Sequence, residues 1–341
     1  MADIGQIVED VRARGDAGLR EWSLQLDGVE PAQAVAGDAS VPRDALLVLA
    51  DRVRRWHALQ RPPAVALEVE PGVSLERHWV PLESVGIYVP RGLISTLVMC
   101  AVPAQVAGVE RIAVVTPPAG ADVVAAAASL LGVREVWAVG GPQAIAALAY
   151  GTDTIAAVDK IVGPGNAYVK EAKLLVSQDV AIDLPAGPSE VIVVLGRGAD
   201  RRLAELEVAA QAEHGAGTVC RIVDGSDLEA ALVAVERAAP EHLVLLGDAA
   251  VLADRVRNAG AIFVGDHSPV AAGDYATGGN HVLPTGGRAR STGGLGLETF
   301  LKPVTVQRLT RDGLELVRPV VEALAHAEGM TAHAEAAQPR D

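Results

Sequence analysis

The sequence predicts an α/β protein: two open parallel-sheet domains in tandem, followed by a small helical C-terminal domain. Two observations lead there. Short apolar, β-branched runs alternate with helical patterns along most of the chain, and such an order requires a parallel sheet with crossover helices. The alternation also stops and restarts once, at the turn LPAGPSE (residues 184–190), which divides it into two sets.

From Ile4 to about Arg61 the chain reads as helical. Ile7, Val8, Val11, Leu19, Trp22 and Leu26 recur at helical spacing, ALLVLADRVRRWHAL continues the pattern, and the Pro-rich RPPAVALEVEPGV closes it. RIAVVTPP, REVWAVGG and VDKIVGPGN then read as strands, separated by the helices ADVVAAAASLLG and PQAIAALAYG. A second set of strands comprises VIVVLG, TVCRIVDG, EHLVLLG and AIFVGD. Between them lie the helix that contains Gln211, then DLEAALVAVERA, then AAVLADRVRNAG. Each set is an incomplete Rossmann-like unit. The remainder is mainly helical, and its closing QPRD is expected to fray. The domain limits that follow are 1–87 with 190–295, 88–189, and a tail of 296–341.

A chain of 341 residues, half of them hydrophobic, can bury a substantial core. With 43 acidic and 29 basic residues the net charge is −14, and no Lys/Arg cluster stands out, so nucleic acid and membrane surfaces are poor partners. Aromatics make up only 3%, too few for stacking platforms on single strands. A small-molecule substrate fits better. Cys100 and Cys220 stand alone, which suggests neither a disulfide framework nor a thiolate metal site, and points to a reducing compartment. The N-terminus reads as a charged amphipathic helix rather than a signal peptide, and no apolar run is long enough to span a bilayer. The cytoplasm is the expected location.

Six stretches could carry chemistry. In AELEVAAQAEHGAG, Leu203, Leu206 and Ala210 mark a core-facing stripe that Gln211 and His214 continue, opposite the acidic face of Glu205, Glu207 and Glu213. The pair offers an amide oxygen and an imidazole to a metal, or a dipole-capped helix end with a buried glutamine. GPGNAYVKEAKLLV places Gly163 and Gly165 between a strand and a helix, either as an anion site or as a tight turn, with Asn166 an N-cap or a cofactor contact. PAGPSE sets Ser189 at the seam of the two sets, suited to hydrogen bonding a substrate. APEHLVLLG puts Glu241 and His242 at the mouth of an apolar strand, where both serve one site only if they occupy its irregular edge. One could then be a general base while the other activates water; a surface glutamate beside a packed histidine is the plain alternative. The Gly-rich loop with Asp274 and His281 is too long for an idle connection, and AEGMTAH adds Glu328 and His333, or else is a solvated tail helix.

Together and in this order, these stretches resemble histidinol dehydrogenases. The resemblance runs from about Ile4 to His333 through GPGNAYV, IDLPAGPSE, QAEHG, PEHL, AGDYATGGNHVLPTGG and MTAH, the last in place of the family's LTAH. It implies zinc bound by Gln211, His214, Asp274 and His333 of the partner subunit, in a homodimer with shared active sites. It implies Glu241 and His242 as acid/base residues, and Tyr88, Gln143 and Asn166 as NAD contacts. Substrate contacts are implied at Ser189, His281 and Glu328, beside His242 and the zinc residues. The reaction implied is oxidation of L-histidinol through the aldehyde to the acid with two NAD⁺: His242 takes the alcohol proton, Glu241 activates water, and zinc anchors substrate.

Three departures accompany the resemblance. The small N-terminal arm of the family is expected to be absent, and the segment between His214 and Glu241 is shorter by about a strand and a helix. In YVPRGLISTLVM, Arg91 stands where the family has glycine, and a few residues are missing. These departures keep open a shortened paralogue that oxidises another polar amino alcohol. A zinc hydrolase using Glu241 and a ligand-binding module without turnover are the remaining alternatives.

Overall fold

The computed structural model describes residues 3–185, 187–215 and 217–338. The last three residues of QPRD lie outside the described residues, whereas Gln338 is tied down by a 3.0 Å hydrogen bond from its Nε2 to Glu322.

The chain opens with helices α1 (Ile4–Arg14) and α2 (Asp16–Leu26), a two-residue strand β1 (Ala32–Gln33) and helix α3 (Arg43–Ala58). Strands β2 (Val65–Glu70), β3 (Val73–Pro81) and β4 (Ser84–Tyr88) follow. Alternation then begins: α4 (Ile94–Ala107), β5 (Arg111–Thr116), α5 (Ala121–Leu130), β6 (Glu135–Ala138), α6 (Gly141–Tyr150), β7 (Lys160–Val162), α7 (Ala167–Val176) and β8 (Ala181–Ile182). The second run comprises β9 (Glu190–Leu195), α8 (Arg201–Ala212), β10 (Val219–Asp224), α9 (Leu228–Ala238), β11 (His242–Leu246) and β12 (Ala261–Val264). A short α10 (Val270–Ala272), strand β13 (Leu301–Leu309) and helices α11 (Arg311–Ala327) and α12 (Thr331–Ala336) complete the path.

The expected α/β architecture is present. Strands β4 to β8 form a parallel sheet in the order β6-β5-β4-β7-β8, with β1 added antiparallel at the β6 edge. A second, wholly parallel sheet has the order β10-β9-β11-β12. Their central strands read as continuous apolar runs because helices cover both faces. In the first sheet, α6 is buried along almost its whole length, and its alanines let it lie close against the strands. Helix α1 packs on α6 and α7, and α3 packs on α4.

The chain divides into two compact units, one of residues up to Gln60 with Leu82–Phe300, the other of Arg61–Pro81 with the residues from Leu301 onward. The smaller unit holds the helical tail expected from sequence, together with an antiparallel sheet β13-β3-β2 that sequence did not indicate. Thr310 starts α11 there as an N-cap, its side chain accepting the Gly313 N–H.

Two local expectations change. The face of α8 turned to the sheet centres on Ala204 and Gln211, and Leu206 is 54% exposed; Glu207, placed on the acidic face by periodicity, is half-buried and accepts the Val270 N–H. Small Ala204 allows the helix to sit close on β9, which a leucine face would hold off. AAVLADRVRNAG forms a 3₁₀ segment, Gly247–Leu252, rather than an α-helix. Asp248 accounts for it, bonded through both backbone and side chain to Arg197, which turns the first residues aside.

Candidate active site

Helix α8 ends one residue after Gln211. Its last apolar-face position is occupied by that glutamine, 2% exposed, whose Nε2 donates to Ser189 Oγ. His214 lies past the helix end and is exposed, with Nδ1 3.1 Å from the Gln211 carbonyl oxygen. Of the two, only Gln211 is therefore turned inward; the expectation that His214 continues the buried stripe is corrected, because the last turn tightens to i→i−3 hydrogen bonds from Glu213 onward and swings His214 off the stripe.

Ser189 passes the chain of hydrogen bonds to Glu241. Its hydroxyl donates to Glu241 Oε2 at 2.6 Å, and the Glu190 N–H donates to the same oxygen at 2.8 Å. Glu241 immediately precedes β11, after Pro240 and Ala239, the latter in the left-handed region at φ 49°. That irregular edge lets two adjacent side chains converge, with His242 Nδ1 3.5 Å from Glu241 Oε2. Burial pushes the Glu241 carboxyl up to about 7, against the hydrogen bonds of Ser189 and Glu190, which act to lower it.

His242 is fixed by the same residue. Its Nδ1 lies 3.1 Å from the Glu190 carbonyl oxygen, an acceptor only, so Nδ1 carries the proton and Nε2 presents a lone pair. That Nε2 is buried without a hydrogen-bond partner among the described residues, 3.9 Å from Asp274 Oδ1. Burial lowers the imidazole to about 4, so it is neutral near pH 7.

Asp274 sits in a π-turn, Gly273–Thr277, within the Gly-rich loop. Burial raises its carboxyl to about 6. Its carbonyl oxygen lies 3.2 Å from His281 Nδ1, while His281 Nε2 is 3.5 Å from Thr96 Oγ1 on α4. Burial lowers His281 to about 4 as well.

Among the described residues, no group of three or more His, Cys, Asp or Glu is arranged to hold a metal. The larger unit supplies an amide, an imidazole and a carboxylate. Because Gln211 Nε2 is committed to Ser189, its oxygen is the atom left for a cation, and His214 keeps Nε2 in the same way. Together with Asp274 this is a donor set of the borderline kind that suits zinc.

The residues expected at a cofactor lie at the C-terminal edge of the first sheet. Tyr88 ends β4, buried, its hydroxyl accepting the Gly141 N–H at 3.4 Å, and burial pushes its phenol up to about 12. Gln143, in the first turn of α6, is 0% exposed; its Nε2 donates to Asp27 Oδ2 at 3.1 Å, and its Oε1 has no partner among the described residues. Asn166 is the N-cap of α7, accepting the N–H groups of Tyr168 and Val169. Arg91 is exposed in the turn before α4. Glu328 and His333 belong to the smaller unit, where Glu328 caps the end of α11 and His333 is exposed on α12.

Three further residues shape the site without having been singled out in the sequence. Glu190 holds both Glu241 and His242 through its backbone, Thr96 faces His281, and Asp27 binds Gln143 and the Gly140 N–H. Backbone contacts leave no mark on residue type, so Glu190 could not be found that way.

The fold and the site define an α/β protein with a buried carboxyl–imidazole pair at the N-terminal edge of one parallel sheet and, on the other, a C-terminal edge that bears Tyr88, Gln143 and Asn166. Comparison with known proteins agrees. The family model for histidinol dehydrogenase matches residues 1–227 and 217–341, with its break in the segment that sequence identifies as shortened. A histidinol dehydrogenase of Methanosarcina barkeri is 39% identical over 393 aligned positions, covering 99% of this chain and 91% of the relative. One of Rhizobium meliloti is 40% identical over 390 positions, covering 98% and 90%. The crystal structure of histidinol dehydrogenase from Elizabethkingia anophelis superposes with a TM-score of 0.90 at 31% identity, over 99% of this chain and 92% of that one. The chain belongs to the histidinol dehydrogenase family.

Proposed function

We propose that this enzyme oxidises L-histidinol to L-histidine through the aldehyde, with NAD⁺ as acceptor and zinc as resident metal. The observation that carries the reading is the unpartnered, buried lone pair of His242 Nε2 beside a carboxyl of Glu241 raised to about 7. A proton acceptor without a protein donor is what an alcohol O–H requires.

Gln211, His214 and Asp274 would hold the zinc, with His333 of the partner subunit as the fourth ligand. When bound, zinc supplies a Lewis acid that fixes the substrate's polar groups. NAD⁺, when bound, supplies the hydride acceptor. The unpartnered Gln143 Oε1 supports a dinucleotide, since a ribose hydroxyl or carboxamide N–H satisfies such an acceptor; Gln143 is fully buried, so this contact needs the start of α6 to open. We assign Tyr88, Gln143 and Asn166 to the cofactor within residues 88–189.

His242 takes the alcohol proton at Nε2, held in that tautomer by Glu190. Glu241 then accepts a proton from the water that adds to the aldehyde, a task matched by a carboxyl near 7. Ser189, His281 and Glu328 orient the substrate. The homodimer is supported by Leu316, Val320 and Leu324, an exposed apolar stripe on α11.

The test is removal of metal by chelation followed by zinc restoration, with NADH formation followed on L-histidinol and on a panel of other amino alcohols. Zinc-dependent turnover selective for histidinol is expected. Turnover on other alcohols alone selects the paralogue reading, and NADH formation that survives complete metal removal overturns the zinc assignment.

A further inference from the structure

Below the cofactor edge of the first sheet lies an ion pair that the reaction does not use. The side chains of Lys173 and Asp183 are each 2% exposed and contact one another directly. Lys173 Nζ also donates to the carbonyl oxygens of Gly163 at 2.9 Å and Leu184 at 3.2 Å, which occupies all three of its protons. The free oxygen of the Asp183 carboxylate, Oδ2, accepts the Gly163 N–H at 2.7 Å. Both backbone polar groups of Gly163 are thus held by one buried pair.

Gly163 is a narrow point. It has φ +105°, and a Cβ there would lie 2.2 Å from the Tyr88 carbonyl oxygen, so the turn after β7 presses on the end of β4. Asn166, three residues on, caps α7. Replacing a buried ion pair by apolar side chains of similar volume is commonly neutral or favourable for stability, so stability alone gives no reason for this one.

We propose that Lys173 and Asp183 are positioning residues that fix the Gly163–Asn166 turn against Tyr88 and so set the cofactor edge. This rests on the reading of Tyr88 and Asn166 as NAD contacts. The pair acts through Gly163.

The test uses the full-length, zinc-loaded enzyme with Lys173→Met and Asp183→Leu combined, which removes both charges and strands neither. Amides 163–169 should exchange hydrogen about tenfold faster, with β4 and β5 unchanged. The NAD⁺ Kd by calorimetry and the KM for NAD⁺ should rise about tenfold to a hundredfold, with the KM for histidinol within about twofold. Asp183→Glu keeps both charges and moves the carboxylate by one methylene. It should show the same pattern more weakly, and it serves if the double variant does not fold. Unchanged exchange and unchanged NAD⁺ affinity overturn the proposal, as does faster exchange spread over the whole sheet with both KM values rising together. A wild-type protein that does not bind NAD⁺ overturns the dinucleotide reading instead, and local exchange then decides the clamp by itself.

Discussion

The hydroxyl of Ser189 donates to Glu241 Oε2 at 2.6 Å while its oxygen accepts from Gln211, so the inward end of α8 and the acid/base carboxyl share one serine. A hydrogen bond to an ionised group contributes about 1.5–3 kcal/mol, which corresponds to about 1–2 pH units on the carboxyl. The Ser189 bond favours the ionised form, so its loss raises the Glu241 pKa above about 7. Ser189→Ala should therefore move the acidic limb of the kcat/KM profile to higher pH by about that amount. A limb that stays in place would show that Glu241 does not control it.

Metal binding and proton transfer should separate by mutation. His242 holds its Nε2 toward the site interior with no partner among the described residues, whereas His214 is exposed at the helix end. His242→Ala should lower turnover about a hundredfold to ten-thousandfold and leave bound zinc unchanged by atomic absorption. His214→Ala should lose the metal. Equal zinc loss in both variants would contradict the division of roles.

A pH dependence of stability is expected from His57, which lies fully buried on α3 with Nδ1 2.7 Å from the Val53 carbonyl oxygen. Burial lowers its pKa from the ordinary 6.5, so the folded protein favours the neutral ring. Its contribution is complete above pH 6.5 and is lost as pH falls through the folded value. His57→Leu should flatten the fall of Tm between neutral and mildly acidic pH, measured by calorimetry against wild type. Parallel curves for the two proteins would remove His57 from the acid transition.

What sequence could and could not show follows from the range of each interaction. The parallel strands were legible because burial on both faces demands unbroken apolar runs, as in VIVVLG and HLVLL. The β13-β3-β2 ladder was not: it joins residues 65–81 to 301–309, and β2 is exposed along its length, so no apolar pattern announces it. Periodicity identified α8 and its inward Leu203 and Gln211 but misplaced Leu206 and His214, since an alanine that permits close approach, such as Ala204, looks the same as one at the surface. The Glu241–His242 pair was visible as a dipeptide at a strand mouth, and the structure supplies the irregular edge that brings the two side chains together. Its dependence on the Glu190 backbone was invisible, and so was the hold of Asp27 on Gln143.

The central claim is that one site with Glu241 and His242 carries an alcohol to an acid. The most direct measurement counts NADH formed against histidinol consumed in a single closed reaction, with the product identified by mass spectrometry. Two NADH for each histidinol, and histidine as product, is the predicted result. One NADH with accumulated aldehyde, or histidinol left unchanged, would contradict it.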